Sequence, residues 1–303
     1  MGAPMCLNLL KSKDQIHSVI AYDVNATSLK NVEQAGAIPL SSLQELSCYA
    51  QEVDVILTML PDGSVVNNVV TEVLDIAASS NAFNREITFI DCSTIGPVLS
   101  KELHEIVSSH SNNHFTMLDA PVSGGVKGAT NASLTFMVGG SASALDKARP
   151  ILSCMGKNIV HCGPAGMGIV AKLSNNLALA SQMIGICEAM ILGTSLGIDP
   201  NVLANVMNTS TAKCWSCEVN NPHPDVAAVT GSAASKGYEG GFGSSLMLKD
   251  IGLAVQAGDS AKVALPVGSL AKELYQLVES TGNGKKDFGI MLEFLRGNLG
   301  KKQ

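Results

Sequence analysis

The stretch ITFIDCSTIGPVLSKELHEIVSS, residues 87–109, joins a short β-rich run to a helical one and decides the fold class. Ile87–Asp91 is rich in apolar and β-branched residues, with Ile87, Phe89 and Ile90, the pattern of a strand buried on both faces. After Thr94 the pattern changes. Pro97 suits the first turn of a helix, where its missing N–H has no partner to lose, and the helix is expected to run to about Ser109. The alternation repeats on either side. Val19–Asp23, Val53–Met59, Phe115–Leu118, Leu134–Val138 and Ile159–Val160 read as further strands, and a helix is expected from near Thr27 to Gly36. Strands and helices alternating at this spacing predict a doubly wound, parallel α/β sheet.

After about Cys162 the strand signals stop. A long helix is expected from roughly Gly168 to Leu196, then one capped by Asp199-Pro200 through Met207. Helical runs follow at Leu246–Gln256, Val267–Glu279 and Phe288–Leu295, while Asn220–Gly243, rich in Pro, Gly, Ala and Ser, reads as a long loop. The expected division is therefore an α/β domain over residues 1–162 and an all-helical domain over 163–303, joined by the long helix. Leu173–Ile198 holds a single charged residue, Glu188, in 26 positions. Asn175, Asn176, Ser181 and Gln182 recur along it, so it reads as a helix buried inside a globular protein and not as a membrane span.

Composition narrows the function classes. The 303 residues are 46% hydrophobic and 15% charged, which excludes a disordered chain. Lys and Arg total 20 against 26 for Asp and Glu, a net charge of -6 with no basic block, so nucleic acid is not an expected partner. The 8 cysteines read as reduced thiols. Cys214-x-x-Cys217 has no second Cys or His pair at metal spacing, and the 6 histidines form no ligand pattern, so no metal is expected.

Three constellations carry the chemistry. Asp23 closes a strand 21 residues after Gly2, the distance between the last glycine of a dinucleotide fingerprint and the acid that binds the adenosine ribose. An acid there, with no Arg beside it, favours NAD over NADP, although an Asp after a strand is also common turn chemistry. Second, Gly163-x-x-Gly166-x-Gly168-x-x-x-Lys172-x-x-x-Asn176 places Lys172 and Asn176 on one helix face, with Asn175 beside them. Burial lowers the pKa of an ammonium, as a general base near neutral pH requires, though a lysine at a helix end can also simply snorkel to water. Third, Ser123-Gly124-Gly125 follows a strand, and successive amides in such a turn can cradle a carboxylate.

Together these motifs resemble the β-hydroxyacid dehydrogenase family over nearly the whole chain. The likeness is carried by Asp119-Ala-Pro-Val-Ser-Gly-Gly125, Leu134-Thr-Phe-Met-Val-Gly-Gly140, the Gly163-to-Asn176 run, and Gly240-Gly-Phe-Gly243 leading to Leu246-Met-Leu-Lys-Asp250. Lys213-Cys-Trp-Ser216 followed by Asn221-Pro222, and Lys285-Lys-Asp-Phe288, resemble the branch that acts on 3-hydroxyisobutyrate. The resemblance implies a Rossmann-like domain, NAD as cofactor, and oxidation of 3-hydroxyisobutyrate to methylmalonate semialdehyde in valine catabolism. It implies that Lys172 acts on the substrate hydroxyl, that Asn176 and Asn175 orient substrate or lysine, and that Ser123, Gly124 and Gly125 bind the carboxylate. Gly2, Asp23, Leu60, Pro61, Thr94 and Lys249 would contact the cofactor, and Trp215 and Phe242 would wall the substrate. A homodimer or homotetramer and the mitochondrial matrix are implied as well.

One departure stands out. Members of the family open with a strand and Gly-x-Gly-x-Met-Gly, whereas Met1-Gly2 matches only the last two residues of that motif. The expectation is an amino-terminally truncated form that lacks a central strand and any transit segment. Ala212-Lys213 also replaces the Gly-Arg usual before Cys-Trp-Ser. Another β-hydroxyacid dehydrogenase, a semialdehyde reductase, or a non-catalytic relative remain alternatives.

Overall fold

The computed structural model describes residues 1–80, 83, 85–110 and 115–299. The chain divides into two compact units, Met1–Lys172 and Leu173–Gln303. The first opens with α1 (Gly2–Lys11), β1 (Ile20–Ala21), α2 (Ala26–Gln34) and β2 (Ile38–Pro39), followed by a 3-10 turn at Leu43–Tyr49. Next come β3 (Val55–Thr58), α3 (Gly63–Ser80), β4 (Ile87–Asp91), α4 (Pro97–Ser109) and β5 (Phe115–Asp119). The unit continues through β6 (Val122–Ser123), α5 (Gly125–Thr130), β7 (Leu134–Gly139), α6 (Ala142–Ser153) and β8 (Gly156–Gly163).

Local chemistry explains the helix starts. The Asn25 side chain accepts from Thr27 N and Ser28 N to cap α2, and Pro97 opens α4. β3, β4 and β5 run parallel, with Thr58, Asp91 and Asp119 level at their carboxyl ends. Beyond them the sheet is mixed: β7 is antiparallel to β5 and β6 and parallel to β8. All five residues of β4 are buried, as a strand flanked on both sides and covered by helices requires. Leu118, Phe136, Val138, Leu145 and Met5 form the core of this unit.

The sheet is in two pieces. β1 and β2 make a separate two-stranded parallel sheet, and no ladder joins it to the six-stranded sheet among the described residues. In the doubly wound order a central strand lies between such halves. Among the described residues no strand holds that place, and Ile20, Ala21 and Val55–Leu57 are only half-buried.

Helix α7 (Met167–Ser195) starts in the first unit and continues into the second. It is long and apolar enough to cross a membrane by length and composition, yet only 28% of its most apolar window is buried. The expected burial of this helix is confined to one face. Ile169, Lys172, Leu173, Asn176, Ala180, Met183, Cys187 and Met190 form one buried stripe at helical spacing, while Ser174, Asn175, Gln182 and Glu188 are exposed.

The second unit adds α8 (Pro200–Thr209), α9 (Trp215–Glu218), α10 (Pro224–Thr230), α11 (Ser244–Ser260), α12 (Pro266–Ser280) and α13 (Met291–Leu295). The expected loop at Asn220–Gly243 is a correction. It contains α10 and a 3-10 turn at Ala233–Lys236, and Asn221, Ala234 and Tyr238 are buried. Pro224 opens a helix instead of breaking one. Asn221 holds the turn, donating to Cys217 O at 3.2 Å and accepting from His223 N at 3.0 Å. The Tyr238 hydroxyl donates to Pro222 O at 2.8 Å. Phe288–Leu295 is likewise split into a 3-10 turn, Phe288–Ile290, and α13.

Candidate active site

The carboxyl ends of β3 and β4 are tied together by side chains. The Thr58 hydroxyl donates to Asp91 Oδ1 at 2.8 Å, as does Ser93 N at 3.0 Å, and Ser93 Oγ accepts from Leu60 N at 2.9 Å. This network fixes the Leu60-Pro61 turn and the segment holding Thr94. Asp91 is 1% exposed, and its Oδ2 has no hydrogen-bond partner among the described residues. Burial pushes its carboxyl up, against the pull of the Ser93 and Thr58 donors. A raised folded pKa contributes stability below the unfolded value of about 3.9 that is lost as pH rises through the folded pKa. Asp91→Asn should therefore gain stability relative to the parent as pH rises from about 4 to neutrality. Denaturant titrations at the two pH values check it; a constant difference would contradict it.

β6 ends at Ser123, and the chain turns through Gly124 (φ 129°) and Gly125 (φ 61°) into α5. Both glycines are exposed, so their amides are accessible to a carboxylate.

The start of α7 is closely packed. A Cβ on Gly168 would lie 2.2 Å from Met137 O and 2.7 Å from Asp119 O, so only glycine lets the helix approach β5 and β7. Lys172 is 7% exposed and Asn176, one turn on, 2%. In the second unit, Asn176 Nδ2 donates to Asp250 Oδ2 at 2.7 Å and Asn175 Nδ2 donates to Asn176 Oδ1 at 3.1 Å. Lys249 Nζ lies 3.6 Å from Asp250 Oδ1, so this buried acid gathers both Asn176 and Lys249. Phe242 packs edge-on against Phe288 with ring centroids 6.0 Å apart, and Asp287 Oδ2 accepts from its amide. Trp215 is half-exposed at the start of α9.

The residues read as dinucleotide contacts fit one in part. α1 begins at Gly2 with no side chain capping its first turn, which leaves amides for an anion such as a pyrophosphate. Asp23 is exposed after β1, where a ribose acid belongs, although its Oδ1 also accepts from Asn25 N at 2.8 Å in an ordinary turn. No cluster of metal-binding side chains occurs among the described residues.

Comparison with known proteins decides the family. Residues 1–163 match the NAD binding domain of 6-phosphogluconate dehydrogenase, and residues 166–295 match the domain described as NAD-binding of NADP-dependent 3-hydroxyisobutyrate dehydrogenase. The probable mitochondrial 3-hydroxyisobutyrate dehydrogenase of Dictyostelium discoideum is 43% identical, covering 99% of this chain and 89% of that protein. The chain belongs to the 3-hydroxyisobutyrate dehydrogenase family. It is an NAD-dependent oxidoreductase with a Rossmann-like domain followed by a helical one. The NAD-dependent L-serine dehydrogenase of Pseudomonas aeruginosa is 40% identical, covering 96% of this chain and 93% of that one. Among solved structures, the Mycobacterium tuberculosis 3-hydroxyisobutyrate dehydrogenase described with L-serine aligns at TM-score 0.88 and 38% identity, covering 98% and 96% of the two chains.

Two buried acids at strand ends, Asp91 and Asp119, are not among the residues that the sequence motifs single out as site residues. In the sequence Asp91 closes the Ile87–Asp91 run and Asp119 opens the Asp-Ala-Pro-Val-Ser-Gly-Gly motif. Alternation of strands places both at carboxyl ends, where ligands of such sheets bind, which is the signal that would have found them.

Proposed function

We propose that the chain oxidises 3-hydroxyisobutyrate to methylmalonate semialdehyde, with Lys172 as the base, in valine catabolism. The carrying observation is a buried lysine one helical turn from a buried asparagine that is itself held by an acid. Lys172, as the free amine, accepts the hydroxyl proton while the C–H electron pair leaves the same carbon. The bound nicotinamide supplies the acceptor for that hydride. Asn176 and Asn175 orient the substrate, the amides of Ser123, Gly124 and Gly125 hold its carboxylate, and Trp215 and Phe242 wall its methyl group. Gly2, Asp23, Leu60, Pro61, Thr94 and Lys249 hold the cofactor.

L-serine is the second reading, because one relative is named for it and one solved relative is described with it. It is also a 3-hydroxy carboxylate, with an ammonium where hydroxyisobutyrate has a methyl. The aromatic walls favour the methyl. Measuring kcat/KM for both acids with NAD and NADP is expected to favour 3-hydroxyisobutyrate by about tenfold or more, the worth of one methyl-sized contact. NAD should be preferred through Asp23, although the matched helical domain is described for an NADP-dependent enzyme. A preference for L-serine would replace the substrate reading.

The proposed assembly is a homodimer or homotetramer through the second unit, where Leu196, Val267 and Leu270 are exposed. The proposed location is the mitochondrial matrix, as eukaryotic relatives are named mitochondrial.

A further inference from the structure

We infer that Asp119 is a positioning residue for Lys172, holding the first turn of α7 from the end of β5. The inference rests on reading Lys172 as the base. The residue before α7 is Gly166, whose φ of 82° suits glycine and which has no side chain to cap the helix. A helix start needs an acceptor for its free amides, ordinarily the cap residue's own oxygen on the second or third helical N–H. Asp119 supplies it from 50 residues away in sequence: Oδ2 accepts from Ile169 N, the third helical amide, at 3.0 Å. Oδ1 accepts from Gly166 N at 2.8 Å.

His104 Nε2 also reaches Asp119 Oδ1, at 3.0 Å, from α4. Asp119 is fully buried, and both oxygens are held. The surrounding backbone leaves no slack: a Cβ on Gly139 would come within 2.4 Å of Oδ1 and one on Gly168 within 2.8 Å of Oδ2. A negative group also suits the positive end of a helix dipole. Lys172 lies three residues past Ile169 on the same side of the helix, about 4.5 Å further along the axis. The carboxylate therefore sets where α7 begins, and with it the depth and rotation of Lys172.

Asp119→Asn keeps the side chain's size but turns one acceptor oxygen into a donor that faces an N–H. The folded variant should exchange the amides of residues 169–172 at least tenfold faster. Its kcat should fall about 10- to 100-fold, with KM for the hydroxy acid nearly unchanged. His104→Ala leaves both amide bonds in place and should move the same exchange and kcat by about 2- to 10-fold. Hydrogen exchange read by peptide mass needs no cofactor, so it tests the cap apart from turnover. Parent-like exchange and kcat in folded Asp119→Asn would overturn the inference. If that variant does not fold, parent-like values in His104→Ala would overturn it, and the smaller shift in both would support it. Full turnover in Lys172→Ala, with the exchange effect present, would sink the reading of Lys172 but leave the cap intact.

Discussion

Lys172→Ala is expected to lower kcat by about 10²- to 10⁴-fold, the usual worth of a positioned general base, while NAD binding stays within about twofold of the parent. The proton leaving the substrate hydroxyl needs an acceptor, and Lys172 is a buried amine at the helix start that the glycines and Asp119 bring close to the sheet. Lys172→Arg should be as inactive as the alanine variant, because a guanidinium stays protonated and cannot take a proton. Steady-state rates beside NAD titration separate loss of chemistry from loss of binding. Activity in either variant within tenfold of the parent would mean that another group takes the proton.

The second large effect concerns the split sheet. Extending the chain ahead of Met1 with about five apolar residues and a Gly-x-Gly turn should join the two-stranded and six-stranded sheets through a strand between β1 and β3. That strand would cover Ile20, Ala21 and Val55–Leu57, which are now half-buried. Each large apolar residue buried contributes about 1.5–3 kcal/mol, against about 1–2 kcal/mol for ordering each residue. The expected net gain is on the order of 3 kcal/mol in denaturant unfolding, with NAD bound at least tenfold tighter through the added amides at the α1 start. Slowed exchange of the β1 and β3 amides would report the new ladders. Unchanged exchange and unchanged NAD affinity would show that the two sheet edges do not accept a strand.

Much of the fold was legible because its longer elements carry their own punctuation. Ile87–Asp91, the Pro97 helix and the Asp199-Pro200 helix lie where apolar runs and caps put them. The two-residue strands β2 and β6 are too short to show a period. Asn220–Gly243 misled because Pro and Gly open and close short helices as readily as they line loops, and the bonds that fold it come from Asn221 and Tyr238. In the candidate site, Lys172 and Asn176 are four residues apart on one helix, so spacing alone places them on one face. The partners that hold this helix are far away in sequence: Asp119 reaches Ile169 across 50 residues, and Asp250 reaches Asn176 across 74. No local pattern encodes such pairs. Trp215 and Phe242 stand out only through the family resemblance, and the ring contact of Phe242 goes to Phe288.

The most direct test is to mix the purified chain with NAD and 3-hydroxyisobutyrate and to measure NADH and methylmalonate semialdehyde together. The account predicts that both form in equal amounts over many turnovers. A folded chain that binds NAD and forms neither product from this acid would contradict it.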